Sequence, residues 1–269
     1  MKSRLLGSFL SLFLLPQSDP TYAAQTLGME LASQSLQYQE QVDGQVFIEE
    51  QGRINQISIQ HETNLAHHWQ LVLRGRAASG KLDYDGQTLL GMPLETRTDH
   101  QFASLAAKIS HQFSTVGFDL IPYLQIATHH WSRRVLATED THQVEITRRW
   151  WEPGIGLVLQ KSLQAGWNLE LETYYGVSIE GNVNFDYTSL GFVKKSADSN
   201  QGEFFHAGLR LEKQFQSHWR LTSGYRMHRS RWDRSDTVVF DNPISLSLFE
   251  PVNRLKTSEL FLGIARDFH

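Results

Sequence analysis

Two short groups of residues have the types and spacing that acid–base chemistry needs. The first is Asp83-Tyr84-Asp85, whose two carboxylates at positions i and i+2 of an extended segment point to the same side. Such a pair can position a water molecule, act as acid and base, or bind a cation. Ordinary turn chemistry is the favoured explanation, because Asp85-Gly86 is a common turn dipeptide.

The second group is Asp140-Thr141-His142, in which a carboxylate two residues from an imidazole can orient the ring as a general base. If the chain is a protease, Asp83, Asp85, Asp140 and His142 are its candidate catalytic residues. Polar tripeptides of this kind also fill ordinary loops, and we favour that simpler interpretation.

Histidine is abundant, with twelve residues, but its spacing does not indicate a metal site. The adjacent pairs His67-His68 and His129-His130 would point to opposite faces of a strand and so make poor joint ligands. The sequence contains no ligand spacing of the zinc type, and we predict neither a metal nor a cofactor.

Length and composition narrow the class of protein. The chain has 269 residues, no cysteine and a net charge of −4. This length fits one closed barrel or one to two soluble domains. The lack of cysteine excludes disulfides and thiol catalysis, and the mild negative charge gives no indication of a nucleic-acid partner.

The first residues have the organisation of a secretory signal peptide. Lys2 and Arg4 form a charged start, Leu5–Leu15 is an apolar stretch, and Thr21-Tyr22-Ala23 supplies a small-x-small cleavage site. We therefore predict a signal peptide at residues 1–23. After it, no stretch approaches the roughly 20 apolar residues of a membrane helix.

The C-terminal segment, residues 255–268, is the clearest structural signal, because apolar and polar side chains alternate along it. One face of the predicted strand carries Leu260, Leu262, Ile264 and Phe268, and the other carries Thr257, Glu259, Gly263 and Asp267. An apolar outer face, a polar inner face and a terminal aromatic residue are typical of the last strand of a bacterial outer-membrane barrel. We predict that residues 24–269 form one such barrel domain.

Short polar turns alternate with longer connections along the rest of the chain. Short turns are predicted at Asn64–His68, Ser114–Gly117, Gln164–Gly166 and Gln216–His218, and long connections near Gly80–His100, Val135–Gln143, Asn182–Gln201 and Asp236–Arg254. About nine strands follow residue 52, and a strand within Ala32–Val42 restores an even number. The predicted fold is all-β: a transmembrane antiparallel up-and-down β-barrel of about ten strands, with eight or twelve as alternatives.

Tryptophans mark the predicted membrane boundaries. Trp69, Trp167 and Trp219 each open a strand directly after a short turn, which places three indoles at one height. A second girdle, near the long loops, is predicted from Trp131, Trp150, Trp151 and Trp232.

Basic residues flank these upper tryptophans in three segments. The segments read His129-His130-Trp131-Ser132-Arg133-Arg134, Arg148-Arg149-Trp150-Trp151 and Arg229-Ser230-Arg231-Trp232-Asp233-Arg234. Arginine side chains suit the phosphates of lipopolysaccharide in the outer leaflet. We predict anchoring at this lipid surface in preference to a dedicated ligand site.

The inward positions of the predicted strands carry charges of both signs. They include Arg74, Arg76, Lys108, Arg148, Glu152, Glu170, Glu172, His206, Arg210, Glu212, Arg220, Arg226, His228 and Glu259. A barrel of about ten strands is narrow enough for its side chains to fill, and buried charges must pair to offset several kcal/mol of desolvation. The lumen is therefore predicted to be a paired polar core, with a narrow channel as the minority alternative.

Several segments resemble the omptins, outer-membrane proteases built on ten-stranded barrels. Phe47–Arg53, followed by Gln56, is similar to the omptin segment at the first hairpin, and Asp83-Tyr84-Asp85 falls where omptins carry their Asp-x-Asp pair. Arg148–Leu159 and Trp167–Glu180 resemble the strand-turn-strand that leads to the omptin loop with the Asp-x-His dyad.

The resemblance implies a ten-stranded barrel, and in the family the dyad and the aspartate pair face each other around a water molecule. Here the corresponding loop, Gly181–Tyr187, contains no histidine, and Asp140-x-His142 lies one loop earlier. Without that imidazole, the water lacks its proton acceptor. The resemblance therefore supports the fold more than the activity.

We predict an outer-membrane β-barrel of the Gram-negative cell envelope that is non-enzymatic, with a filled polar lumen and extracellular loops for surface interaction or a structural role. An omptin-like endopeptidase and a narrow channel are the alternatives. The predicted partners are outer-membrane lipid, lipopolysaccharide and, through the C-terminal strand, the barrel-assembly machinery, with no nucleic acid.

Overall fold

The computed structural model describes residues 24–65, 68–88, 91–139, 141–199, 201–240 and 246–268. The predicted signal peptide at residues 1–23 and the candidate catalytic residue Asp140 lie outside the described residues. No helix in the described part of the chain is long and apolar enough to cross a membrane, a finding that does not bear on crossing by strands.

Nearly all regular structure in these ranges is β-strand, with helical structure limited to two single 3₁₀ turns at Gln164–Gly166 and Thr188–Leu190. The strands are β1 (Gln25–Val42), β2 (Gln45–Asn64), β3 (Trp69–Gln87), β4 (Pro93–His111), β5 (Phe113–Ser114), β6 (Asp119–Val135), β7 (Val144–Ser162), β8 (Trp167–Val177), β9 (Ile179–Asp186), β10 (Lys195–Ser199), β11 (Gly202–Gln214), β12 (Trp219–Trp232), β13 (Val238–Phe240), β14 (Leu246–Leu248) and β15 (Val252–Phe268).

Antiparallel pairing of consecutive strands closes the sheet into a barrel. β1 pairs with β2 on one side and with β15 on the other, so the first and last strands join. β4 with β5, β8 with β9, and β10 with β11 each act as one interrupted strand, while β13 and β14 form a separate small hairpin. The result is the predicted closed barrel of ten antiparallel strands in up-and-down order.

Several predicted boundaries differ from the structure. The predicted long connections Asn182–Gln201 and Asp236–Arg254 contain paired strand, namely β10 with the end of β9, and the hairpin β13–β14. The first strand begins at Gln25 rather than within Ala32–Val42, because Leu27, Met29 and Leu31 already alternate outward against inward polar residues. The predicted long connection Gly80–His100 is mostly paired strand: β3 runs to Gln87 and β4 starts at Pro93. The polar residues of this segment, which are typical of a loop, lie on the outer face of strands whose inner face is buried.

The turns separate the two ends of the barrel as predicted. Short turns at 65–68, 115–118, 163–166 and 215–218 share one end with the chain termini of the barrel. The opposite end carries the tight 43–44 turn and the connections 88–92, 136–143, 187–194 and 233–251. We call this second end the loop end.

The exterior of the barrel is apolar in a band, as the alternation predicts. Leu260 and Leu262 of β15 are 67% and 64% exposed, whereas the inward neighbour Glu259 is 5% exposed. The same pattern holds on the other strands, where exposed side chains include Leu31, Ile59, Leu105, Leu124, Ile155, Leu171, Leu209 and Leu221. Trp69, Trp167 and Trp219 are exposed at the short-turn end of this band. A soluble sheet would bury such side chains.

Ion pairs fill the lower lumen, as predicted from the inward charges. Arg220 Nη2 lies 2.9 Å from Glu62 Oε2, and Lys108 Nζ lies 3.9 Å from Glu172 Oε1. Arg226 pairs with Glu30 and with Glu259. Except for Arg226–Glu259, which joins the neighbouring strands β12 and β15, these pairs link strands that are not neighbours, so they cross the interior and narrow the open passage.

Candidate functional site

Asp83 and Asp85 lie near the loop end of β3, on the outer surface of the barrel. Both are exposed, and the Asp83 side chain keeps 77% of its accessible surface. Within the described residues, its ion pair is with Arg97, whose Nε lies 3.4 Å from Asp83 Oδ1. The two carboxylates therefore point away from the lumen, on one side of the strand as the i, i+2 spacing predicts.

Strand register extends this pair into a row of acidic residues. Glu49 on β2 is directly opposite Asp85, and Asp85 is directly opposite Glu95 on β4. We call Glu49, Asp85 and Glu95 the acidic row. Like charges placed opposite each other destabilise a sheet. Even so, the described residues include no group of three or more His, Cys, Asp or Glu residues that could hold a metal ion.

The second predicted dyad stays a prediction. Asp140 lies outside the described residues, and His142 is exposed in the connection between β6 and β7. In that connection, Thr138 and Thr141 hydrogen-bond through their hydroxyls at 2.8 Å, as in ordinary loop chemistry. The segment Gly181–Tyr187 belongs largely to strand β9, where Val183 and Phe185 are buried.

Sequence reasoning missed a buried polar network inside the loop end. Arg133 of β6 donates from Nε to Glu50 of β2 and from Nη1 to Glu40 of β1, each at 2.6 Å. Thr98 of β4 donates to Glu50 at 2.9 Å. These side chains are at most 5% exposed. β3 and β4 separate β2 from β6 along the wall, so the bonds of Arg133 cross the interior.

His100 completes this network in a defined protonation state. Trp131 Nε1 donates to His100 Nδ1 at 3.1 Å, so Nδ1 accepts and carries no proton. The proton of the neutral ring then lies on Nε2, which is 2.6 Å from Glu50 Oε2 and donates to it. The imidazole thus acts as a neutral donor that is 1% exposed.

The charges in the network perturb its carboxyl groups in opposite directions. Burial by itself would raise the pKa of Glu50, but the Arg133 guanidinium and the hydrogen bond from His100 outweigh it and lower this pKa to about 2. Burial dominates at Glu40 and raises its pKa, despite the nearby Arg133. Glu50 therefore holds its negative charge strongly, whereas Glu40 more readily takes up a proton.

A layer of aromatic side chains closes the interior beside this network. Its members are Tyr38, Trp131, Trp150, Phe204 and Trp232, all buried, and we call them the aromatic layer. The ring centroids of Trp150 and Trp232 are 5.6 Å apart, and those of Tyr38 and Trp131 are 5.2 Å apart. Arg148 lies over the Trp232 ring at 4.8 Å and pairs with Glu250 at 2.7 Å.

The predicted upper tryptophan girdle is therefore wrong for three of its four members. Trp131, Trp150 and Trp232 face the interior, and only Trp151 lies outside, 44% exposed. Alternation carries the necessary signal: Trp150 lies two residues from both Arg148 and Glu152, which are predicted to face inward, and so shares their face. Tryptophan beside arginine is typical of a membrane girdle, but the period of two places this indole inside.

The same alternation divides the predicted basic segments between two environments. Arg133 and Arg148 are buried, whereas Arg149, Arg229 and Arg231 are exposed. On the outer surface, Arg229 and Arg231 of β12 lie directly opposite Lys256 and Arg254 of β15. We call Arg229, Arg231, Arg254 and Lys256 the basic block. Arg231 also pairs with Asp233 at 3.7 Å.

The basic block lies directly above the apolar band. One step down the same strand pair, Met227 faces Ser258, and the next outward pair is Tyr225 opposite Leu260. Tyr225 and Leu260 are 41% and 67% exposed. The cationic side chains of the basic block therefore begin where the apolar exterior of the barrel ends.

Comparison with known proteins identifies the fold. No protein-family model matches the chain, and no curated protein sequence matches it. The solved structure of the outer-membrane protease OmpT from Escherichia coli covers 92% of this chain and 98% of its own, with a TM-score of 0.62 and 11% identity. The translocator domain of the autotransporter NalP from Neisseria meningitidis covers 91% of this chain and 88% of its own, with a TM-score of 0.46 and 10% identity.

At 11% identity, the likeness to OmpT concerns the fold and not the activity. It agrees with the closed ten-stranded barrel built from strand pairing alone. The chain therefore has the architecture of an outer-membrane β-barrel, similar to the ten-stranded barrel of the omptins.

Proposed function

We propose that this protein is an outer-membrane β-barrel with a closed interior that acts through its outer surface and loops, in surface interaction or a structural role, rather than through transport or catalysis. The observation that carries this proposal is the closure of the lumen. The aromatic layer and the Arg133 network fill the loop end, and ion pairs fill the part below.

Residence in the outer membrane of a Gram-negative cell is supported by the exterior. An apolar band surrounds the barrel, and exposed tryptophans mark its short-turn end. Lipid tolerates only closed barrels among β-structures, because an open sheet edge would leave backbone groups unpaired. The joining of β1 to β15 removes that edge.

The closed lumen is tested by conductance in planar lipid bilayers. We expect the reconstituted wild type to show no steady ion conductance. A triple variant that opens the aromatic layer, Trp131→Ala/Trp150→Ala/Trp232→Ala, should conduct if it folds. Its matched control removes three indoles from the exterior, Trp69→Ala/Trp167→Ala/Trp219→Ala, and should stay closed. Steady single-channel conductance by the wild type would contradict the proposal and favour the channel alternative.

Lipopolysaccharide is the proposed partner of the basic block. Four cations placed opposite one another repel unless an anion lies between them. The phosphates of lipopolysaccharide in the outer leaflet would be at this height, just above the apolar band, and arginine binds phosphate well. The C-terminal strand, whose Phe268 is 45% exposed, supports a transient partnership with the barrel-assembly machinery.

Binding of lipid A to the refolded barrel tests this partner. Substitution of the whole basic block by glutamine should weaken binding by at least tenfold. The matched control replaces four other exposed cations, Arg53, Lys81, Arg97 and Lys161. Dephosphorylated lipid A should bind wild type and the block variant alike. Equal losses in the two quadruple variants would refute a specific role of the basic block.

The endopeptidase alternative has a direct test in peptide cleavage. Asp83 and Asp85 are solvent-accessible, and a base would have to come from Asp140 and His142. We expect a peptide library to remain uncut by folded wild type in lipopolysaccharide-containing detergent. Cleavage by the wild type, lost in the Asp83→Ala/Asp85→Ala variant, would establish a protease and overturn the non-enzymatic proposal.

A further inference from the structure

A cavity of about 140 Å³ lies inside the barrel against the aromatic layer. Trp150, Phe204 and Trp232 line its apolar side, and Arg76 and Arg226 belong to its polar side. A second cavity of about 80 Å³ shares several of its lining residues. The larger volume is comparable to the roughly 150 Å³ engineered apolar cavity that takes up benzene. The space therefore fits one small ring.

The polar side of the cavity has hydrogen-bond donors without acceptors. The structure shows no ion pair or hydrogen bond between Arg76 and another described residue, and its Nε is buried. Glu30, the carboxylate whose charge Arg76 feels, pairs with Arg226. Arg226 Nη1 and Trp232 Nε1 are also buried without a partner, in side chains that are 8% and 1% exposed. Buried donors in this state are rare in folded proteins and call for an acceptor.

The carboxylates that line the cavity already have cationic or hydrogen-bonding neighbours, although one of their oxygens lacks a hydrogen bond. Glu259 Oε2 accepts from Gln34 at 2.5 Å, and Glu259 Oε1 lies 3.3 Å from Arg226 Nε without a hydrogen-bond partner. Glu152 accepts from Trp150 at 3.4 Å and lies 3.2 Å from His129 Nε2. The donors on the polar side of the cavity therefore call for a hydrogen-bond acceptor near Arg76, beside the aromatic surface. Water alone would leave the aromatic side without contacts, since ordered water needs two to four polar partners.

We infer that this cavity binds a small carboxylic acid with an apolar ring or short chain. The carboxylate is held by the free guanidinium of Arg76, a geometry for which arginine is well suited. The apolar part packs against Trp150 and Phe204. This inference goes beyond the proposed surface role, because it assigns a ligand to the interior of the barrel.

Refolding in the presence of 4-fluorobenzoate provides the test, since the probe can then be enclosed as the barrel closes. After removal of excess probe, ¹⁹F NMR should show one bound resonance that exchanges slowly, at one equivalent per barrel. We expect 4-fluorobenzylamine, of similar size and opposite charge, to bind at least tenfold more weakly. Absence of a bound resonance, or equal retention of acid and amine, would overturn the inference.

Three variants distinguish this cavity from adventitious binding. Arg76→Gln should lower carboxylate affinity at least tenfold, while Arg53→Gln, which removes an exposed arginine, should leave it unchanged. Ser104→Leu fills space beside Arg76 and should abolish retention of the probe. Heat-modifiable gel mobility checks that each variant is folded. Retention of the probe by either folded cavity variant at the wild-type level would refute the assignment, as would its loss in Arg53→Gln.

Discussion

Glu49 and Glu50 are neighbours in the sequence, but they lie in opposite electrostatic environments. Glu50 points inward, is fully buried, and receives hydrogen bonds from Arg133, His100 and Thr98. Glu49 points outward, is half-buried, accepts from Gln37 at 2.7 Å and has another carboxylate, Asp85, directly opposite. One strand thus pairs its buried charge with a cation while it leaves like charges side by side on the outer surface.

The comparison shows where charge pairing is obligatory in this barrel. Desolvation of a buried ion costs several kcal/mol unless a partner compensates, whereas water screens exposed charges. The acidic row and the basic block can therefore exist on the outer surface. Inside, the same strands have charges of complementary sign that cross-link the wall.

The largest expected effect is the loss of Arg133, because it leaves two buried carboxylates without their shared partner. We expect Arg133→Met to lower the free energy of unfolding by about 3–5 kcal/mol. The matched control is Arg97→Met, which breaks the exposed ion pair with Asp83 and should cost at most about 1 kcal/mol. Urea unfolding in detergent measures both. Equal losses would show that the interior network has no special role.

A second, pH-dependent effect isolates Glu50. The pKa of this carboxyl is lowered from 4.5 to about 2, so its contribution is present above about pH 4.5 and is lost as pH falls toward 2. The shift corresponds to stabilisation on the order of 3 kcal/mol. We expect the difference in unfolding free energy between wild type and Glu50→Gln to shrink by that amount between pH 5 and pH 2.

Glu49→Gln is the matched control for this pH series, since it changes the outward-facing, half-buried neighbour. Its difference from wild type should stay within about 0.5 kcal/mol throughout. A Glu50→Gln difference that does not depend on pH would contradict the assigned ion pair.

The smallest expected effect has the opposite sign. Asp85→Lys places a cation between Glu49 and Glu95 and removes two unfavourable cross-strand pairs. We expect stabilisation of about 0.5 kcal/mol at low salt, which added salt should reduce. Asp85→Asn removes the repulsion without adding an attraction, so its free energy of unfolding should lie between those of the wild type and Asp85→Lys. Destabilisation by lysine would mean that the acidic row holds a cation.

The barrel and the exposure of its strands were predictable because they follow from a local period. Side chains in β15 alternate between lipid-compatible and polar types, and a period of two is read directly from neighbouring residues. The same rule, applied strictly, would also have placed Trp131, Trp150 and Trp232 in the interior. Their composition is typical of a membrane boundary, but their position in the period of two places them inside.

The buried network could not be predicted in the same way. Arg133 bonds to residues 83 and 93 positions away, across the barrel rather than along its wall. Such contacts depend on strand stagger and barrel closure, which a single sequence does not specify. The roles of Asp140 and His142 stay predictions, since they rest on spacing alone.

The seam between β1 and β15 has a consequence for how the chain reaches this structure. Their pairing runs without interruption from Gln25 opposite Phe268 to Gln41 opposite Val252. Contacts between residues this far apart in sequence impose a large loop-closure entropy and slow the final step of folding. Until β15 pairs with it, β1 keeps an unpaired edge that can aggregate. Chains in which this seam has not yet closed should therefore depend on chaperones.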